Sequence, residues 1–250
     1  MAENTSSLVK LRGDVDGLTF YAKDGKQFVR RTRKSNKEKF DNDPSMVRVR
    51  ENAAEFKNVS QSAKRLWDTL RPFTANNKDS KSYLRLRSIM NELKKMDTTS
   101  LRGERDALNG LTEAAGKQLL KGFNFNSKSQ LDSILFKQFE LNTDSGKLMM
   151  EQFNPSIHLA SEPSSTHYSI TLCKADIDIN SGKSELAMSN VHQAAVNGST
   201  EDVVLQLETT THINGLQLFV LQIAFYQEMN GQLYPLKDKA HNASKIIDVL

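Results

Sequence analysis

The sequence predicts an α+β protein in which an N-terminal β-hairpin and a helical hairpin precede a C-terminal antiparallel β-sandwich. Three observations predict it. Asp24-Gly25 lies between two β-prone runs. An apolar stripe in steps of four and three residues runs from Val49 to Leu70. The apolar period then changes to two at Phe123 and Phe125. The chain therefore reads as three segments: 1–40 for the hairpin and a basic linker, 41–121 for the helices, and 122–250 for the β-sandwich domain.

The hairpin comes first. Gly17 to Lys23 and Lys26 to Arg31 flank Asp24-Gly25, a pair that favours a type I′ turn because both central residues take positive φ. A two-stranded hairpin is marginal in water, so Phe20, Tyr21 and Phe28 need something else to pack on. From Thr32 to Lys39 there is no apolar residue, and the stretch reads as a basic loop. Asp43-Pro44 then supplies an N-cap and a first-turn proline for a helix that should end near Pro72. Its expected apolar stripe is Val49, Ala53, Phe56, Ser60, Ala63, Trp67 and Leu70. A second helix is expected over about 82–96, facing inward with Leu86, Ile89, Met90 and Leu93. A weaker third helix covers about 102–120, where Gly110 and Gly116 work against it.

Strand candidates follow at Ile134–Leu141, Lys147–Phe153, Tyr168–Cys173, 175–179, Val203–Glu208, Leu216–Tyr226 and Lys245–Val249. Residues 184–200 read as a long loop. The turns are rich in Gly, Asn, Asp and Ser, and Asn230-Gly231 is a second hairpin signal.

Charge divides the chain. Residues 1–122 carry 26 Lys and Arg against 16 Asp and Glu, a net +10, while residues 123–250 carry 8 against 14, a net −6. Such asymmetry points to nucleic-acid contact or to electrostatic docking of one half on another, as well as to plain solvation. The longest apolar run, Leu216 to Tyr226, is broken by Gln217 and Gln222, so no membrane helix is expected. A polar N-terminus and a single cysteine, Cys173, read as cytoplasmic.

No phosphate-binding glycine loop, nucleophile elbow or His-Glu-x-x-His string occurs, and the five histidines lack ligand spacing. No cofactor or metal is expected, and the chain reads as non-enzymatic. Asp176 and Asp178 should share an exposed strand face, Cys173 should be buried and inert, and Trp67 should lie in the core.

Two functions remain. The first is a structural or scaffold subunit that self-assembles into a ring, tube, filament or phage-like particle, forming a homo-oligomer through the N-terminal hairpin and its oppositely charged halves. The second is sequence-independent nucleic-acid binding through the basic N-terminal segment. The residues expected to make contacts are Phe20, Tyr21, Phe28, Arg30, Arg31, Arg33, Lys34, Lys37 and Lys39.

Gly17 to Tyr21, Asp24-Gly25, the Arg50 to Phe56 string, Arg102 to Arg105, Gly122 to Asn126, Thr166-His167 and Phe225 to Leu236 together carry a resemblance. The chain resembles a family of uncharacterised cytoplasmic proteins of Bacteroidota, over nearly its whole length. The family's usual glycine pair after the first hairpin is replaced here by the basic and polar run from Arg31 to Lys34. The resemblance implies kinship and a cytoplasmic bacterial origin, and it brings no activity with it.

Overall fold

The computed structural model describes residues 2–4, 11–32, 37–178, 181–208, 215–236 and 241–250. Two compact units emerge, Met1–Arg50 and Glu51–Leu250.

The first unit is a small antiparallel sheet followed by a short helix. Its strands are β1 (Ala2–Asn4), β2 (Gly13–Val15), β3 (Leu18–Lys23) and β4 (Lys26–Arg31), in the order β1-β4-β3-β2. The expected hairpin is thus the centre of a larger sheet. Asp24 and Gly25 take φ of 52° and 77°, as a type I′ turn requires, and Asp16-Gly17 repeats the device at 48° and 76°. The second turn folds β2 onto β3. The expected basic loop is helical at its end, where α1 spans Lys37–Asn42. Arg50 Nη1 fixes that end by donating to the carbonyls of Phe40 (2.6 Å) and Asp43 (3.1 Å). Asp43 caps a 3₁₀ turn at Pro44–Met46 by accepting from Ser45 N–H, and α2 (Val47–Thr74) follows.

In the second unit α2 pairs with α3 (Ser82–Leu93), the expected helical hairpin. The buried face of α2 is Val59, Ser62, Ala63, Leu66, Leu70 and Phe73. Half of the expected stripe lies off it: Val49 and Phe56 are 48% and 53% exposed. The buried face keeps four- and three-residue steps, at Glu55, Val59, Ser62, Leu66, Leu70 and Phe73, and is turned from the expected stripe toward the N-terminal end of the helix. The helix also runs past Pro72 to Thr74, since a proline in the last turn forfeits only one hydrogen bond. Trp67 packs on the helical core, edge-on to Tyr83 at 5.5 Å, with Lys78 Nζ 4.4 Å from its ring.

The expected third helix is broken into α4 (Ala107–Gly110) and α5 (Ala114–Leu120). The reason is close approach. A Cβ on Gly110 would overlap the Leu93 carbonyl, and one on Gly116 would overlap the Gly110 carbonyl. Asp97 accepts from Ser100, Asp106 and Thr99 N–H and from Asn109 Nδ2, which ties down the loop between α3 and α4.

Then come α6 (Leu131–Ile134), β5 (Glu140–Asn142), β6 (Lys147–Phe153), α7 (Pro155–His158), β7 (His167–Ile177), β8 (Ser184–Met188) and β9 (His192–Ala195). The chain continues with β10 (Glu201–Gln206), β11 (Leu216–Met229), β12 (Gln232–Pro235) and β13 (Ala243–Val249). Two expectations are corrected. Of Ile134–Leu141 only Glu140 and Leu141 are strand, as the start of β5, the rest being a helix end and a loop, and the expected loop at 184–200 contains β8 and β9. Both new strands pair with β7, which supplies the buried edge that their mixed sequences do not advertise. Asn230-Gly231 turns β11 into β12 with φ of 54° and 75°.

β7 and β11 pair from His167↔Tyr226 to Ile177↔Leu216 and form the spine. β8 and β9 flank β7, while β12 and β13 flank β11. A second sheet, β10-β6-β5, is bridged to the first by Ser189↔Leu207. The region is therefore antiparallel sheet that curls into a half-barrel. Alternation along the spine serves two cores. Tyr168, Ile170, Leu172, Phe219, Leu221 and Ile223 pack with Leu148, Phe153, Val203 and Leu205 inside the curl. Cys173, Ala175, Ile177, Leu216, Leu218 and Val220 pack under α2 and α3. Phe123 and Phe125, 5.0 Å apart and edge to face, close this second core beside β13.

Candidate interaction surfaces

Every described side chain from 11 to 50 is exposed or only partly covered, and none is buried. The sheet nevertheless carries apolar residues on both faces. Register sorts them, because directly paired residues point the same way. On one face β3 and β4 stack three rows: Lys23 with Lys26, Tyr21 with Phe28, and Thr19 with Arg30, the last row extended by Asp14 of β2. The Tyr21 and Phe28 rings stack at 5.6 Å and 23°, and the Arg30 guanidinium lies 5.5 Å from the Tyr21 centroid. The opposite face is apolar, with Val15, Leu18, Phe20, Ala22 and Val29, and with Arg31 at its end.

The expected contact residues are thus divided. Tyr21, Phe28 and Arg30 converge, Phe20 and Arg31 point the other way, and Lys37 and Lys39 sit on α1. Arg33 and Lys34 lie outside the described residues. Sequence reading missed Lys23 and Lys26, although period-two counting back from Asp24-Gly25 puts both on the aromatic face.

The second unit has a surface of opposite sign. On the solvent side of β10-β6-β5, Val204, Met149 and Glu140 form one row. Gln206, Lys147 and Asn142 form the next. Beyond the Val204 row, where a bulge interrupts the register, stand Glu151 and Asp202, the latter accepting from Gln152 N–H at 2.7 Å. A hollow of about 300 Å³ opens here, lined by Lys137, Gln138, Phe139, Glu140, Met149 and Glu151.

Other polar groups are held in structural roles. Asp176, expected on an exposed face, is 1% exposed and pairs with Lys174 Nζ at 3.1 Å. β7 is covered on both sides, so it has no solvated face for a carboxylate. Asp178 stands past the strand end and accepts from Ser181. Cys173 is fully buried, and burial pushes its thiol far above the ordinary value. Tyr168 hydroxyl and Glu201 both approach His192 Nε2, at 3.1 and 3.4 Å. Among the described residues no three His, Cys, Asp or Glu side chains gather to hold a metal ion, and no helix is long and apolar enough to cross a membrane.

Comparison with protein-family models, with curated proteins and with solved structures finds no match. Function is therefore argued from this geometry.

Proposed function

We propose that the chain is a non-enzymatic structural subunit that self-assembles, with the N-terminal sheet as its assembly element. One observation carries this reading: among its described residues the first unit has apolar side chains on two faces and none of them buried. A small sheet needs a covered apolar face to persist in water. The cover has to come from outside residues 11–50, and a second copy supplies it in every solution of the protein. In this reading the curled sheets of the second unit form the two layers of a sandwich, a rigid body that the N-terminal sheet links to its neighbour. Removal of residues 1–34 followed by sedimentation tests it. Assemblies should fall to monomers whose remaining core still melts cooperatively. A full-length protein that stays monomeric at high concentration and low salt defeats the proposal.

Nucleic-acid binding is the second reading, favoured by the stacked Tyr21–Phe28 pair under Arg30 among lysines. Aromatic platforms beside cations hold single strands without reading sequence. Affinity for a single-stranded oligonucleotide would then fall steeply between low and moderate salt, and Arg30→Glu would flatten that slope.

A further inference from the structure

We infer that the cationic aromatic face of the N-terminal sheet docks on the acidic face of β10-β6-β5 in a second copy of this chain. The inference rests on the self-assembly reading and names the two surfaces that meet.

The two faces match row by row. In a β-sheet, rows on one face recur about every 7 Å along the strands. The N-terminal face offers Lys23 and Lys26, then Tyr21 and Phe28, then Arg30 and Thr19 with Asp14 at the edge. The second-unit face offers Glu151 and Asp202, then Met149 and Val204 with Glu140 at the edge, then Lys147 and Gln206. Laid face to face, two cations meet two carboxylates in the first row. Two aromatic rings meet two aliphatic side chains in the second. In the third row Arg30 comes beside Gln206 and Asp14 beside Lys147. The two faces thus agree in charge and in the position of their apolar centres.

The hollow beside Met149 strengthens the match. At about 300 Å³, between Glu140 and Glu151, it has room for one aromatic ring. A ring entering it packs on Phe139 and Met149, while Glu140 and Glu151 pair with the incoming lysines beside Lys137. Val204 is 39% exposed, so apolar area remains to be covered. The contact is heterologous: the two faces differ, and each chain carries both. Copies joined this way form a ring if the rotation closes and a filament if it does not.

The test uses the full chain and exposed residues. One variant carries Lys23→Glu and Lys26→Glu, the other Glu140→Lys and Glu151→Lys. Sedimentation velocity at low salt should show assembly of the unmodified chain and at least a 100-fold loss of association for either variant alone. An equimolar mixture of the two variants should reassemble, because each supplies the surface the other lacks. Thermal melting of both should match the parent, which excludes a folding defect. If both variants assemble like the parent, the surface assignment fails and the self-assembly reading stands. If the mixture stays monomeric, the two faces do not meet between chains and the inference fails. If the unmodified chain is itself monomeric, the underlying reading fails. Capture of a single-stranded oligonucleotide by that monomer would then transfer the aromatic face to nucleic acid.

Discussion

The two units differ in how they use apolar residues. The first places them on both faces of a thin sheet and, among its described residues, buries none. The second places them on both faces of β7 and β11 and buries nearly all of them, under helices on one side and inside the curl on the other. The same alternation of side chains therefore yields a sticky element in one unit and a doubly covered spine in the other. Cover, rather than composition, separates them. Stability should reside in residues 51–250, and sensitivity to association in residues 11–32.

The largest expected effect lies in the spine. Phe219 is fully buried within the curl, and Phe219→Ala should destabilise the second unit by roughly 3–5 kcal/mol, read from urea unfolding. Next comes Gly110, which has no room for a methyl group against the Leu93 carbonyl. Gly110→Ala should cost roughly 2–3 kcal/mol, because the obstacle is backbone and cannot swing away. A neutral outcome would mean that α4 is not held tightly against the end of α3.

Acid should act through Asp79. Burial pushes this carboxyl up, but hydrogen bonds from Ser127 N–H, Arg85 and Lys81 N–H outweigh burial and hold it at about 2, below the ordinary 3.8. A pKa depressed by folding stabilises above the unfolded value, and the benefit is lost as pH falls through the folded one. About 2 kcal/mol should therefore disappear between pH 4 and 2. Asp79→Asn should weaken the protein at pH 7 and remove this part of the acid sensitivity. Equal acid sensitivity in the variant would remove Asp79 from the account.

The smallest effect tests the comparison itself. At high salt, where charge pairing is screened, Phe28→Ala should move the main unfolding transition by less than about 0.5 kcal/mol. A shift of several kcal/mol would mean that the N-terminal sheet shares the second unit's core.

Local signals in the sequence were legible where the chain satisfies itself. Asp24-Gly25 and Asn230-Gly231 both turn as their positive φ requires, and the helical hairpin stands where Asp43-Pro44 and the apolar face of Leu86, Met90 and Leu93 put it. What stayed hidden depends on distant partners. Gly110 and Gly116 look like helix breakers in sequence, while in the fold they are points where backbone passes against backbone. β8 and β9 are strands because β7 offers them an edge. The acidic face was invisible as a site, since Glu140, Glu151 and Asp202 are joined only by the pairing of β5, β6 and β10.

The doubly covered spine also sets a schedule for synthesis. The inward faces of α2 and α3 are complete once Leu93 has been made, but their cover includes Leu216, Leu218 and Val220 of β11 and Ile246 and Val249 of β13. About 150 residues separate Leu93 from Val249. At about 5–20 residues per second, the ribosome takes roughly 8–30 seconds to deliver them. For that interval the nascent helical hairpin displays Val59, Leu66, Leu70, Leu86 and Met90 to the cell, a stretch of time in which holding chaperones have their natural client.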